Sequence, residues 1–362
     1  MKIGILSYPI NNNYGCHLQT YALYTVIKRM GHDVTYINRR PNKPTLIWWA
    51  KKILKNVLSM RSPFFTYENY IMRRKGKNMM HFFEENIKNQ TTPIYTSKGL
   101  ESLKNVFDAI VVGSDQVWRP EILSDVRDYY LDFLGESETR RISYAASFGT
   151  DTPSYTPSLM MKCGGLLEKF HAVSVREKSG LNIIDRFNWI ANEPKVVLDP
   201  TFLLSKTDYQ RFYNNTKKNK TVFCYILDNS VVKSKICSDV SKSLKLSINS
   251  PLKNSKNYDY VYPSVGEWLS GIAKSDFVVT DSFHGTVFAI IFEIPFLVIV
   301  NSSRGASRFQ SLLEGLGLQE RILSENQETQ DILRNTIDWV KVKDCLYRER
   351  EKSVHFLKEA LS

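Results

Sequence analysis

The chain has few of the residues that staple or anchor a protein. Its 362 residues hold five cysteines, Cys16, Cys163, Cys224, Cys237 and Cys345, odd in number, scattered, and with no pair at CxxC spacing. This argues against a disulfide framework and structural zinc, and fits a reduced, cytoplasmic compartment. No run of about 20 apolar residues occurs, so no segment reads as a membrane span. The opening "MKIGILSYPI" has too short an apolar run for a signal peptide, because Pro9 and three asparagines follow at once. It reads instead as a first buried strand. The GxGxxG dinucleotide fingerprint is missing, and so are zinc-finger, RNA-recognition and helix-turn-helix patterns, which leaves nucleic acid as the weakest partner class. No internal repeat links the two halves.

What remains is an ordinary globular composition, 43% hydrophobic and 24% charged, long enough for about two domains. Lysine and arginine number 49 against 37 acids, a net charge of +12 that favours anionic partners such as phosphates and anionic lipid.

Strand and helix patterns alternate. "KIGILSY" reads as a strand and "PINNNYG" as a turn-rich loop. "CHLQTYALYTVIKRMG" places Leu23, Val26, Ile27 and Met30 at helical spacing before a glycine stop, and "DVTYIN" is the next strand. This is a β-α-β unit. Further strands, "DAIVVG", "RISYAAS", "AVSV" and "KVVLD", are apolar throughout, as expected when helices cover both faces, and each runs into polar residues. A second set begins near Thr221. It has strands "TVFCYIL", "DFVVTD" and "PFLVIVN", with helices "VGEWLSGIAKS", "TVFAIIFE" and "SRFQSLLEGLG". The lysine-rich stretch 217–256 reads as a solvated surface, and the residues from Gln330 as a charged helical segment. The pattern predicts an α/β protein of two doubly wound, Rossmann-like domains facing a central cleft, residues 1–199 and 200–329, followed by a helical segment 330–362.

Residues 46–80 stand apart. Trp48, Trp49, Ile53, Leu54, Val57 and Leu58 recur at helical spacing with Lys51, Lys52 and Lys55 between them. A second cluster (Phe64, Phe65, Tyr67, Tyr70, Arg73, Arg74) follows. A basic helix with tryptophan on its apolar side suits an anionic membrane surface. Packing on the domain with a solvated lysine face is the alternative.

Ligands of open parallel sheets bind at the carboxyl ends of the strands, so the polar strand tips are the candidate site. His284 follows the strand "DFVVTD" and opens a helix, where free N–H groups attract an anion and an imidazole can deliver a proton. It could equally cap the helix or sit in the core. Gly285 would allow close backbone approach. Arg304 and Arg308, in "NSSRGASRF", and Arg176, at the tip of "AVSV", match carboxylate or phosphate, unless they are surface arginines. Asp115 could accept a hydroxyl proton or cap a helix. The asparagines of "NNNYG" could hold sugar hydroxyls or make a turn. Together these residues outline a transferase with an anionic donor and a hydroxylated acceptor.

Seven pieces in order give that outline a family. They are "NNNYGCHLQTYAL" (Asn11–Leu23), "VVGSDQVWRP" (Val111–Pro120), "SYAASFG" (Ser143–Gly149), "SVRE" (Ser174–Glu177), "VLDPTFLL" (Val197–Leu204), "TDSFHGTVFAIIFEIPFLVI" (Thr280–Ile299) and "SRFQSLLEGLGL" (Ser307–Leu318). The sequence resembles the polysaccharide pyruvyl transferase family over about residues 2–323. The resemblance implies a GT-B-like fold, with the acceptor on the first domain and the donor on the second. It implies transfer of a pyruvyl group from phosphoenolpyruvate onto a sugar, commonly as a ketal across two hydroxyls, in capsule, exopolysaccharide or cell-wall polymer assembly. The acceptor would be a lipid-linked glycan at the inner face of the cell membrane. No metal and no cofactor beyond the phosphoenolpyruvate co-substrate is implied.

Under the resemblance, His284 is the general acid, serving the donor carbon or the departing phosphate, and Asp115 the base or acceptor-orienting group. Arg176, Ser282, Gly285, Arg304 and Arg308 fall to the donor. Asn13, Tyr14, Gly15, Gln19, Ser114 and Gln116 fall to the acceptor. One departure stands out. Some members carry arginine two places before the histidine, where this chain has Ser282, so Arg304 or Arg308 is expected to supply the missing charge. Cys16-His17 reads as subgroup variation. A nucleotide-sugar glycosyltransferase of the same fold is the alternative function; an inactive assembly protein is a more distant one.

Overall fold

The computed structural model describes residues 1–42, 71–213, 218–253, 255, 257, 259–300, 306–323 and 329–362. Most of the basic-aromatic segment, residues 43–70, and Arg304 lie outside the described residues.

Two all-parallel sheets organise the chain. The first contains β1 (Lys2–Leu6), β2 (Asp33–Tyr36), β3 (Ala109–Val112), β4 (Arg140–Ala146), β5 (Ala172–Val175) and β6 (Lys195–Val196), in the spatial order β2-β1-β3-β4-β5-β6. The second contains β7 (Thr221–Tyr225), β8 (Ser247–Asn249), β9 (Phe277–Thr280), β10 (Phe296–Ile299) and β11 (Ile322–Leu323), in the order β11-β10-β9-β7-β8. Numbered within each sheet and read from its second strand, both begin 2-1-3-4-5, and the first continues to a sixth strand. The winding reverses between β1 and β3 in one sheet and between β7 and β9 in the other. Those reversals are the topological switch points where open α/β sheets bind ligands. Every residue of β3 and β9 is buried, as their unbroken apolar sequences require. The architecture is the GT-B-like pair of Rossmann-like domains expected.

The helices of nine or more residues among the described residues are α1 (Tyr14–Arg29), α2 (Lys77–Asn86), α3 (Pro157–Leu167), α4 (Lys178–Arg186), α5 (Val231–Leu244), α6 (Val265–Ala273), α7 (Phe283–Ile291), α8 (Ser307–Gly315) and α9 (Trp339–Ala360). Asn13 caps α1, its Oδ1 accepting from Gly15 N at 2.9 Å. Gly31, at φ +89°, ends the turn that follows.

Both α1 and α7 depart from the one-sided burial of a surface helix. Residues 14–24 of α1 and all nine residues of α7 are buried. Each helix has its own sheet on one side and the other domain on the other, and one apolar core runs through Leu23, Tyr14, Trp268 and Val287. Tyr14 stacks on Trp268, ring centroids 5.0 Å apart, and donates from its hydroxyl to Pro263 O at 2.7 Å. Helix α9 then returns to the first domain. Arg350 Nε donates to Phe202 O at 2.6 Å, and Ser353 Oγ accepts from Leu198 N at 3.0 Å.

The end of the basic segment is described, and it too is used between domains. Arg74 pairs with Asp259 at 2.8 Å and Lys75 Nζ donates to Ser255 O at 2.6 Å. The lysine-rich stretch carries α5 and β8 rather than surface alone. No described helix is long and apolar enough to cross a membrane.

Candidate active site at the facing switch points

A cavity of about 120 Å³ opens where the two switch points meet. From the first domain, Tyr8, Asn11 and Asn13 follow β1, and Asp115, Gln116 and Ile122 follow β3. From the second, Leu227 follows β7, and Asp281, Ser282, Phe283 and His284 follow β9; Arg308 arrives on α8. Six expected residues are therefore together around one cavity: Asn13, Asp115, Gln116, Ser282, His284 and Arg308.

Local sequence explains several placements. Ser282 is the N-cap of α7, and its Oγ accepts from Gly285 N at 3.3 Å. This sets the first turn of α7, with its unpaired N–H groups, against the cavity. Asp115 has φ +78°, a backbone region that aspartate tolerates better than most residues. Its carbonyl accepts from Val117 N and Ser147 N at 2.7 and 3.0 Å, which folds the loop back over β4. Gly149 has φ +72°, and a Cβ there would lie 2.3 Å from Gln116 Oε1, so this glycine lets the Gln116 side chain pass. Gln116 is also held by Arg119 Nη1, which donates to its Oε1 at 2.8 Å.

The other expected residues sit elsewhere, for definite reasons. Arg176 is not on the cavity wall. Its side chain is 2% exposed and surrounded by Asp199 at 3.1 Å, Asp115 at 3.6 Å and Glu177 at 3.6 Å. Burial works against this cation, but Glu177, Asp115 and Asp199 outweigh it and hold its pKa above the ordinary arginine value. Arg176 is thus the hub of a buried ion cluster and not a free hand for the donor.

Ser114 donates to Asp199 Oδ2 at 3.1 Å, and Gln19 to Ser7 Oγ at 3.0 Å, both inside the first domain. Tyr14 belongs to the interdomain core. Gly285 faces inward: a Cβ would lie 2.4 Å from Thr280 Oγ1, so its smallness serves helix–strand packing rather than ligand approach. Gly15 lies directly against the imidazole, where a Cβ would meet His284 Nδ1 at 2.0 Å. His17 is buried, its Nε2 2.7 Å from Asn11 O, and burial lowers its pKa to about 4.

Two groups that sequence reasoning left without a role complete the site. Asp199 ends the apolar run "KVVLD" and is fully buried. Its Oδ2 lies 3.5 Å from His284 Nε2 and accepts from Arg176 Nη1 at 3.1 Å, while Oδ1 accepts from Thr201 Oγ1 at 2.6 Å. Burial disfavours its charge, yet His284, Arg176 and Thr201 hold the carboxyl well below the usual range. The only signal in the sequence was an Asp-Pro step at a strand tip. Phe283, next to the histidine, carries two guanidinium groups near its ring, Arg176 at 4.5 Å and Arg308 at 6.0 Å. Burial, and then the nearby Arg176, bring the Arg308 pKa down to about 10. Burial and the Asp115 carboxylate push the Tyr8 phenol up to about 12. Among the described residues, no cluster of histidine, cysteine and acid side chains could hold a metal ion.

The twofold 2-1-3-4-5 winding, with a polar cavity between facing switch points, defines a GT-B-like enzyme. Solved structures agree on the fold. A protein of Listeria monocytogenes described as a UDP-N-acetylglucosamine 2-epimerase matches at a TM-score of 0.53 and 9% identity, over 97% of this chain and 91% of its own. The UDP-GlcNAc 2-epimerase of Methanocaldococcus jannaschii matches at 0.51 and 10%, over 92% and 91%. Such identities carry the fold alone. The model of the polysaccharide pyruvyl transferase family matches residues 13–303, and the chain belongs to that family, as a transferase. No curated protein matches the chain.

Proposed function

We propose that the protein transfers the pyruvyl group of phosphoenolpyruvate to a sugar, forming a pyruvate ketal on a lipid-linked glycan. One observation carries this reading. A single cavity holds an imidazole, a buried arginine and a capped helix start on one side, with asparagine, glutamine and aspartate on the other. The first set suits a small dianion and the second suits sugar hydroxyls.

Arg308 and the first turn of α7 grip the donor's carboxylate and phosphate. His284 gives a proton to the methylene carbon, and C2 becomes electrophilic. A sugar hydroxyl, oriented by Asp115 and Gln116, attacks C2. The C2–phosphate bond breaks as the second hydroxyl closes the ring. Of the two hydroxyl protons released, one restores His284 and the other leaves with inorganic phosphate. General acid catalysis of this kind contributes about 10²–10⁴-fold.

A lipid-linked acceptor would bring the enzyme to the cytoplasmic leaflet, with residues 46–80 as the docking segment, less Arg74 and Lys75, which are spent between the domains. Liposome flotation of the full chain against a chain lacking 46–70 tests that part. Equal flotation on anionic vesicles removes it. The reaction is tested by phosphate release from phosphoenolpyruvate across a panel of lipid-linked glycans. Release with one or more acceptors, and thermal stabilisation by phosphoenolpyruvate, are expected. Stabilisation by a nucleoside diphosphate but not by phosphoenolpyruvate would assign the cavity to nucleotide-sugar transfer instead.

A further inference from the structure

Nothing above gives Asp199 a task, although it is the point where the two domains' polar groups meet. We propose that Asp199 is a positioning residue that fixes the Nε2–H of His284 across the domain boundary, so that Nδ1 is the atom that delivers the proton. The inference rests on His284 being the proton donor.

The carboxylate has no freedom to turn. Oδ1 accepts from Thr201 N at 3.0 Å and Thr201 Oγ1 at 2.6 Å. Oδ2 accepts from Ser114 Oγ and from Arg176 Nη1, each at 3.1 Å. The remaining neighbour of Oδ2 is His284 Nε2 at 3.5 Å. An ionised carboxylate only accepts, so the nitrogen facing it bears hydrogen. Nε2 is sealed from solvent and makes no closer hydrogen bond among the described residues, so Asp199 Oδ2 is the acceptor it faces, while the residue lines the cavity. With Nε2 taken up by Asp199, Nδ1, on the ring's other edge beside Gly15, is the nitrogen the proposal gives to the reactant. Gly15 lets the ring sit this close to α1, since any side chain there would collide with it.

The charged groups around the imidazole come from five elements. Asp115 follows β3, Asp281 follows β9, and Arg308 lies on α8; all three share its cavity. Asp199 precedes the turn after β6, and Arg176 follows β5 and reaches the ring only through Asp199. Helix α1 contributes the uncharged Gly15. Asp281 is already engaged by Leu227 N, Asp228 N and Lys233 Nζ. Asp199 is therefore the carboxylate aimed at the ring, with Arg308 opposing it. In the reaction the Nδ1–H bond breaks and its proton forms the new C–H bond, while Nε2–H stays toward Asp199. The neutral imidazole that results is the Nε2–H tautomer.

The experiment combines ¹⁵N-histidine NMR with pH–rate profiles for wild type and Asp199→Asn. In the neutral wild type, His284 is expected as the Nε2–H tautomer. In Asp199→Asn, kcat is expected to fall about 10²-fold or more, with the KM for phosphoenolpyruvate within about twofold. The limb of the profile that reports loss of the acid should move to lower pH, because the anion beside the ring is gone. Asp199→Glu should restore part of that shift. If Asp199→Asn does not fold, Thr201→Val, which strips one donor from Oδ1, is expected to shift the limb in the same direction by less. An Nδ1–H tautomer in wild type, or a limb that stays in place while kcat falls, overturns the proposal. If wild type releases no phosphate from phosphoenolpyruvate, the proposed reaction fails. The tautomer, and the response of the ring's titration to Asp199→Asn, still decide the role of Asp199.

Discussion

Replacing Gly15 by alanine adds one methyl group at the most constrained contact of the site. That Cβ would stand 2.0 Å from His284 Nδ1, 2.2 Å from Cγ and 2.7 Å from Cε1. Carbon atoms rest about 3.5 Å apart, so ring and helix must separate by about 1.5 Å. Helix α1 is poorly placed to yield. Tyr14, the preceding residue, is stacked on Trp268 and hydrogen-bonded to Pro263 O, and residues 14–24 are buried. The ring must move instead, away from its alignment with Asp199. Two stability effects oppose one another. Alanine in a helix gains about 1 kcal/mol over glycine, and overpacking costs about 1–3 kcal/mol. The net loss is about 0–2 kcal/mol, and the protein stays folded. Catalysis is far more sensitive, since a misplacement of about 1 Å can cost about 10²-fold. Gly15→Ala should therefore lower kcat for phosphate release by about 10²-fold while urea unfolding changes little. A Gly15→Ala enzyme with wild-type kcat would refute this account of the contact and the place of His284 in the chemistry.

Arg308→Ala should raise the KM for phosphoenolpyruvate at least tenfold, since losing a partner of a buried charge costs about 2–5 kcal/mol. The exposed Lys88→Ala serves as control, and equal KM values for the two would remove Arg308 from the donor site. Arg176→Met leaves Asp115, Glu177 and Asp199 facing one another, and should cost about 3–5 kcal/mol in urea unfolding. Wild-type stability with only a raised donor KM would mean that Arg176 is a donor ligand after all. Acid should act through Asp199. Its folded-state pKa lies below the unfolded value of about 3.9, so its stabilisation is present above that pH and is lost as pH falls below it. Below about pH 4, wild type should lose stability more steeply than Asp199→Asn; parallel curves would contradict the ion cluster.

The strands of both sheets were legible because each is an apolar run closed by polar residues, and parallel strands need no finer code. Two exceptions are instructive. β8, residues 247–249, lies at a sheet edge within a lysine-rich stretch, and β11 has two residues, so neither has enough pattern to be seen. Histidine at the junction of β9 and α7 was legible for the same reason as the strands. Its setting was not. The polar residues of α1, His17, Gln19 and Thr20, are not a cavity wall, although Gln19 was expected at the acceptor. They are buried because they turn toward their own domain, Gln19 and Thr20 bonding Ser7 Oγ after β1 and His17 lying against Asn11 O and the ring of Phe83. Arg176 reads as a lone cation at a strand tip because Asp115 and Asp199 are distant in sequence, and only the fold brings them to it.

The seam between the domains also accommodates Ser282, at the position where the family resemblance read from the sequence implies arginine in some members. Ser282 Oγ is committed to Gly285 N as the cap of α7, so a long side chain there would give up the cap. The cap is worth about 1 kcal/mol. The proposed function draws the cation from α8 instead, one β-α unit later, where Arg308 is held near the ring of Phe283 at 6.0 Å. Both positions open on the same cavity of about 120 Å³. Two arginines would crowd it and repel each other, with Arg176 already behind Phe283. Ser282→Arg should therefore reduce activity when Arg308 is present. Combined with Arg308→Ala it should recover part of the donor affinity that Arg308→Ala alone loses. If Ser282→Arg loses donor affinity equally with and without Arg308, the two positions do not substitute for one another, and the donor's charge is met elsewhere.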